Sequence, residues 1–324
     1  MQILEIFGDR VKKNEPLKNH TTYRIGGPAD FYLEVKNAEE AARAIMSARE
    51  DGLPVFVLGG GSNILVSDAG VRGLVMVYGG RAVKIEGNRL IADAGAITFL
   101  AVKMSTEAGL AGLEWAAGIP GTVGGAIRGN GGAYGGEMKD RVDTVQAVNL
   151  ETGDLATFNR PSCLFGYRDS VFKHAPWFIV RAAFALAPGD REELVAKITD
   201  MVVKRRAKLP LEYGSAGSVF KSFFFNDLSE LSEGLRKSLP PKYAESNRIP
   251  AGFLIELAGL KGKRLGGAMI SEQHGNFFVN TGSATAAEVR GLIDCAKMKV
   301  KEEFGVILEE EIQYVGFDVT YNGQ

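Results

Sequence analysis

Gly118-Ile119-Pro120-Gly121-Thr122-Val123-Gly124-Gly125-Ala126-Ile127-Arg128-Gly129-Asn130-Gly131-Gly132-Ala133-Tyr134-Gly135-Gly136 places nine glycines in nineteen residues. Each glycine inside a helix or strand costs about 0.5–1 kcal/mol relative to alanine, so no element of ordinary length tolerates that density. Ile119, Pro120, Val123, Ile127 and Tyr134 punctuate the run, which separates it from a low-complexity linker. What remains is an ordered backbone with few side chains, closely approached by a large group whose phosphate oxygens can meet main-chain N–H donors. A set of tight turns in a large β structure is the plainer alternative. It ranks second because another cluster, Gly59-Gly60-Gly61-Ser62-Asn63, directly follows the apolar run Val55-Phe56-Val57-Leu58.

Neither cluster fits the common nucleotide patterns. The Gly59–Ile64 loop lacks Gly-x-Gly-x-x-Gly spacing, and no Gly-Lys-Ser/Thr occurs anywhere in the chain. Two glycine loops about sixty residues apart still suit a dinucleotide, whose pyrophosphate needs several backbone donors.

With 324 residues and 45% hydrophobic content, two modest domains are expected rather than one. A net charge of −1 gives no electrostatic footprint for nucleic acid. The one dense basic triplet, Lys204-Arg205-Arg206, falls late in a helical pattern, where cations suit the helix C-terminus and face solvent. Cys163 and Cys295 have no metal-type spacing and read as incidental thiols of a reducing compartment. Early charges at Glu5, Asp9, Arg10, Lys12 and Lys13 argue against a signal peptide, and no apolar run is long enough to span a bilayer. A cytoplasmic monomer or weak oligomer without membrane insertion is expected.

The pattern along the chain is α+β with antiparallel hairpins, not the regular alternation of a doubly wound fold. Asn37 and Glu40 open a helix through Glu50. Val55–Leu58 and Leu74–Val77 read as strands, and residues 83–91 as a hairpin turning at Glu86-Gly87-Asn88. A helix from Thr98 to Ala108 stops at Gly109. Two strands flank Glu151-Thr152-Gly153-Asp154, and another runs over Phe178–Leu186. Ala187-Pro188-Gly189 interrupts this pattern, so the expected domains are 1–188 and 189–324. Asp190 with Glu193 caps a helix to Lys208, Thr285 with Glu288 starts one ending at Gly305, and Val306–Val315 reads as a final strand.

Several blocks, in order, carry a resemblance. They are Tyr23-Arg24-Ile25-Gly26-Gly27-Pro28-Ala29, the two glycine loops, Gly166-Tyr167-Arg168-Asp169-Ser170-Val171-Phe172 and Ala216-Gly217-Ser218-Val219-Phe220-Lys221. The series continues with Ala251–Gly262 and Ser271-Glu272-Gln273-His274-Gly275-Asn276-Phe277. This ordered set resembles the UDP-N-acetylenolpyruvoylglucosamine reductases, or UDP-N-acetylmuramate dehydrogenases. Their fold pairs a vanillyl-alcohol-oxidase-type FAD domain with an α+β substrate domain.

The resemblance implies reduction of an enolpyruvyl ether on a UDP-sugar to a lactyl ether, in bacterial peptidoglycan synthesis. No side chain can supply a hydride, so a flavin recharged by NADPH must. Non-covalent FAD would be held by Tyr23, Arg24, Gly59, Gly60, Gly61, Ser62, Asn63, Ile64, Gly118, Ile119, Pro120, Gly121, Thr122, Gly124, Gly125 and Ala126. Ser218 matches the proton donor, Arg168 the arginine that stabilises the enolate, and Glu311 the catalytic glutamate. Lys221 and Ser222 would meet substrate. On residue counting alone, Ser218 is a turn serine, Lys221 a solvated lysine, and Arg168 an ion-pair partner of Asp169 or of another surface acid. Strand alternation also disagrees with the family frame: it puts Glu310, not Glu311, on a face with Val306, Leu308, Ile312 and Tyr314.

His20, His174 and His274 show no metal spacing. His274 falls in a matching block and is as readily structural as substrate-lining. Two positions depart from the family: Ser222 stands where asparagine is usual, and Gln313 where arginine is. Residues 223–248 form a longer connection whose Leu228, Leu231, Leu235 and Leu239 have helical spacing, which suggests an extra surface helix rather than a lid. Rival readings are another flavin-dependent sugar or alcohol oxidoreductase of this fold, or a UDP-sugar sensor without turnover.

Overall fold

In a computed structural model, residues 1–317 are described. Two sheets organise the N-terminal body. In the first, Pro28–Val35, Val71–Tyr78 and Val55–Leu58 run parallel in that order, and Lys12–Pro16 closes one edge antiparallel. The second is wholly antiparallel, in the order Leu155–Asn159, Val142–Asn149, Trp177–Ala185, Arg89–Asp93, Val83–Glu86. Helix Ala38–Glu50 touches strands of both sheets, and its Ala41, Ala44, Ile45 and Ala48 stripe is fully buried. Asn37 caps it as expected, accepting from Glu40 N at 2.8 Å. The Glu40 carboxylate reaches back to Lys36 N and pairs with Arg10.

The C-terminal body is a three-stranded antiparallel sheet, Arg264–Leu265, Ala268–Ile270 and Phe278–Asn280, covered by helices Ala251–Leu257 and Ala286–Phe304. The long helix starts on a reciprocal Thr285–Glu288 capping box and ends at Gly305 with φ +72°. Its first two free N–H groups, on Ala286 and Ala287, donate to the Asp68 carboxylate of the N-terminal body. Tyr23, Ile25 and Leu65 cross the same seam and pack in the C-terminal core with Phe220, Leu254 and Val289. The two bodies therefore share apolar contacts and a helix cap.

Helix Arg191–Lys208 follows the Ala187-Pro188-Gly189 break, with Asp190 as its cap. By packing it lies with the N-terminal body, since its Ile198 is part of that core.

Two expectations need correction. Of Val306–Val315, only Gln313–Val315 forms a strand, paired parallel with Ile64–Val66. The segment before it alternates buried Val306 and Leu308 with exposed Ile307, but has no continuous neighbour to pair with. Alternate burial looks like a strand even where the backbone bonds go elsewhere. Similarly, 223–248 contains no single extra helix. It folds as a one-turn 3-10 segment Leu228–Glu230 and short helices Glu233–Ser238 and Pro241–Glu245, because Pro240 and Pro241 stop the first helix. Leu231 and Leu235 are buried, whereas Leu228 is exposed.

Candidate active site

A cavity of 600 Å³ is lined by residues of both bodies. The expected Gly59, Gly60, Gly61, Ser62, Asn63, Ile64, Ile119, Pro120, Thr122, Gly125 and Ala126 line it. So do Arg168, Ser218 and Glu311, which lie far apart in sequence.

The glycines divide into two kinds. At Gly60 an added Cβ would lie 2.6 Å from Gly121 Cα, and at Gly61, with φ +61°, it would lie 2.1 Å from His20 O. Those two are glycine because two loops touch backbone to backbone. At Gly125 an added Cβ meets only Thr122 Oγ1, at 3.5 Å, so it would enter the open space of the cavity.

Main-chain donors are divided as sharply. Val123 N and Gly124 N donate to Ala96 O and Ala94 O, and Gly125 N to Thr122 Oγ1, so the start of helix Val123–Arg128 is already satisfied. The N–H groups of Gly60, Gly61, Ser62 and Asn63 donate to no carbonyl or side chain among the described residues. Four consecutive uncommitted donors on a cavity wall fit the pyrophosphate of a dinucleotide. Gly125→Ala is therefore expected to leave the melting temperature of the FAD-free protein unchanged or slightly higher, and to weaken FAD binding at least about tenfold. Gly61→Ala should lower the melting temperature with or without FAD. Differential scanning fluorimetry and FAD fluorescence titration read both, and unchanged FAD affinity in Gly125→Ala would count against this cradle.

Not every expected cofactor residue reaches the cavity. Tyr23 is fully buried in the C-terminal core, with its hydroxyl unpartnered and burial pushing its pKa far above the ordinary value. Arg24 is exposed, at φ +56°. Gly118 is covered by Arg205, whose Cδ lies 2.3 Å from where a Cβ would stand, and Gly121 and Gly124 back onto Ser62 and Ala94. Lys221 pairs with Glu309, and Ser222 N approaches the Tyr167 hydroxyl at 3.4 Å; neither side chain is on the cavity wall.

Arg168 and Glu311 form the centre of the site. Arg168 Nε lies 2.8 Å from Glu311 Oε1, and each side chain is 18% exposed. The Nε–H is poorly aligned on that oxygen, so the contact is better described as a close ion pair than as a linear hydrogen bond. Nη2 donates to Gly132 O at 2.8 Å, which fixes the guanidinium plane against the glycine run. Arg168 has φ +57°, a left-handed conformation that a non-glycine residue holds only where its surroundings impose it. Its neighbour Asp169 pairs instead with His174, at 2.8 Å, so the plain Arg168–Asp169 ion pair is not formed.

Burial is the largest influence on Glu311 and raises its pKa, opposed by Arg168, Lys173 and Lys221. Glu310 faces the other way, 2.7 Å from Lys297 of the long helix. The alternation holds from Val306 to Leu308, but Glu310, the polar residue it places inward, is neutralised by Lys297.

Ser218 is set by its backbone neighbours. Gly217, at φ +74°, turns the chain; Val219 N donates to Asn276 O, and Phe220 N to Asn276 Oδ1. Glu311 N donates to Val219 O at 2.7 Å, so the serine and glutamate segments are adjacent.

Sequence reasoning missed Lys173 and misplaced Arg205, both of which line the cavity. Arg205 of the basic triplet is turned inward over Gly118, and burial lowers its pKa, whereas Lys204 stays outside and pairs with Asp200. The helical period, which separates 205 from its neighbours by about 100°, was the signal that could have found it. His274 also lines the cavity; burial lowers its pKa, and Nδ1 accepts from Asn276 N at 3.2 Å. Gln313 accepts from Arg128 at 2.6 Å, both on the wall. Among the described residues no cluster of three His, Cys, Asp or Glu could hold a metal, and no helix is long and apolar enough to cross a membrane.

Comparison with known proteins bears on the same residues. Residues 29–159 match an FAD binding domain, and 209–315 match the C-terminal domain of UDP-N-acetylenolpyruvoylglucosamine reductase. A UDP-N-acetylenolpyruvoylglucosamine reductase of Geobacillus kaustophilus is 41% identical over 317 residues, covering 97% of this chain and 96% of the relative. The chain belongs to the UDP-N-acetylenolpyruvoylglucosamine reductase family. Another such reductase, from Carboxydothermus hydrogenoformans, is 42% identical over 309 residues, with 94% of each chain covered. A crystal structure of the family's enzyme from Thermus caldophilus superposes with a TM-score of 0.74 at 34% identity, over 94% of this chain and 99% of that one. The fold is thus the family's, an FAD-binding domain of vanillyl-alcohol-oxidase type joined to its C-terminal domain, and the cofactor is FAD.

Proposed function

We propose that the protein reduces UDP-N-acetylglucosamine enolpyruvate to UDP-N-acetylmuramate with NADPH, a step of peptidoglycan precursor synthesis. The observation that carries this reading is the part-buried Arg168–Glu311 ion pair, at 2.8 Å in the cavity that Ser218 also lines. An enolpyruvyl ether carries a carboxylate on its C=C bond, so reduction needs a hydride at one carbon, a proton at the other, and support for enolate charge between. Bound FAD, recharged by NADPH, supplies the hydride.

The protein's own residues supply the rest. Arg168 offers a fixed planar donor set to the substrate carboxylate and to the enolate oxygen, with Gly132 O keeping its orientation. Ser218 Oγ gives its proton to the second carbon and takes one back from water. A serine is a weak acid, so it serves only where it is held against the carbon and positive charge eases its alkoxide. Lys173 and Arg205 line the same cavity and are cations it offers. Glu311 keeps Arg168 in place and its carboxyl group close to the reacting end.

A sugar or alcohol oxidase of this fold would need a base rather than a donor at Ser218, and a sensor would have no use for a strained arginine. Purified protein should be yellow and release FAD, not FMN, on denaturation. NADPH should bleach it anaerobically, and the enolpyruvyl substrate should restore the colour. A colourless protein that takes up no FAD, or one whose colour the substrate does not restore, would overturn the proposal.

A further inference from the structure

We propose that Lys173 is a positioning residue whose ammonium holds Arg168 by its main chain and stands as a second cation on the cavity wall that Arg168 and Glu311 share. Lys173 sits in the one-turn helix Val171–His174, and its Nζ donates to the Arg168 carbonyl at 2.6 Å. That carbonyl belongs to the residue at φ +57°, a backbone conformation that L-residues rarely adopt. The guanidinium end of Arg168 is fixed separately, by Gly132 O and the Glu311 contact. The ammonium thus holds the strained end of Arg168 while the cavity side stays available to a carboxylate.

The charges that face Lys173 come from every element around it. Burial lowers its pKa most, Arg128 and Lys221 push the same way, and Asp169 and Glu311 favour its ammonium. Asp169 is itself paired with His174. In return, Lys173 joins Arg168 and Lys221 in favouring the ionised form of Glu311 against burial. Were Lys173 only a strut for the backbone, removing its charge while keeping a donor would leave Glu311 unmoved.

This inference rests on the reduction proposed above, and its test is independent of turnover. The full chain loaded with FAD is compared as wild type, Lys173→Met, Lys173→Gln and Lys173→Arg. The Glu311 titration midpoint is read from its ¹³C carboxyl resonance, assigned with Glu311→Gln. An opposite charge nearby typically lowers a carboxyl pKa by about 1–3 units, and Arg168 remains in all variants. Lys173→Met and Lys173→Gln should therefore raise the midpoint by about one unit, and Lys173→Arg should return it. Should Lys173→Met fail to fold, Lys173→Gln carries the same expectation. A midpoint unmoved when the charge is removed overturns the inference even if the reductase reading stands. A moved midpoint in a protein that does not reduce the substrate upholds it and overturns the reductase reading alone.

Discussion

Ser218→Ala is expected to slow return of the yellow colour by about 10²–10⁴-fold when the enolpyruvyl substrate is added to FAD-loaded, NADPH-bleached protein. Bleaching by NADPH should proceed as in wild type. The structure makes this substitution unusually clean. Gly217 sets the turn, and Asn276 holds Val219 and Phe220 through the main chain and its own amide, so none of these bonds uses the serine hydroxyl. Alanine therefore removes one oxygen from the cavity wall and leaves the backbone as it was. FAD content and melting temperature should match wild type. Stopped-flow reoxidation within a factor of a few of wild type would take Ser218 out of the mechanism and leave the proton to a water molecule.

Glu311→Gln should lose most of its turnover, on the order of 10²–10³-fold, whereas Glu310→Gln should keep it. Glu311 meets Arg168 at 2.8 Å on the cavity wall, while Glu310 meets Lys297 at the same kind of distance outside it. A half-exposed ion pair is worth about 0–1 kcal/mol, so Glu310→Gln costs a little stability and no rate. Loss of an interaction made only in the transition state would appear as equal falls in kcat and kcat/KM. Stability adds a check with a definite sign. Because burial raises the Glu311 pKa, the folded protein holds that proton more tightly than the unfolded chain does. Its ionisation then costs stability as pH rises above the ordinary carboxylate range and through the folded midpoint. The melting temperature of Glu311→Gln relative to wild type should accordingly be higher at pH 7 than at pH 4. Active Glu311→Gln beside inactive Glu310→Gln would show that the inward strand face was the better guide.

Much of the fold was legible in local chemistry. The caps at Asn37, Asp190 and Thr285 start helices where expected, and glycine at 109 and 305 ends two of them, because a cap bonds to its own next turn and needs no distant partner. The hairpin around Gly87 is legible for the same reason. The glycine run from 118 to 136 marks an ordered segment on the cavity, with the short helix Val123–Arg128 inside it, but not which glycines serve the cavity. Gly136 lies against Trp115 and Gly118 against Arg205, while Gly125 faces open space.

By itself the sequence determined the family and the caps and turns, since each is carried by neighbours within a few positions, and it put forward the three residues proposed for the mechanism. Only the tertiary structure decided which charges meet. Arg168 has Asp169 beside it in sequence but pairs with Glu311, and Asp169 goes to His174. Lys173 and Arg205 turn into the cavity, Lys221 turns to Glu309, and Tyr23 enters the opposite body's core. Partner choice of this kind depends on burial and on backbones brought together from distant parts of the chain. Coulombic and desolvation energies follow distance in space, and no pattern along the chain records that distance.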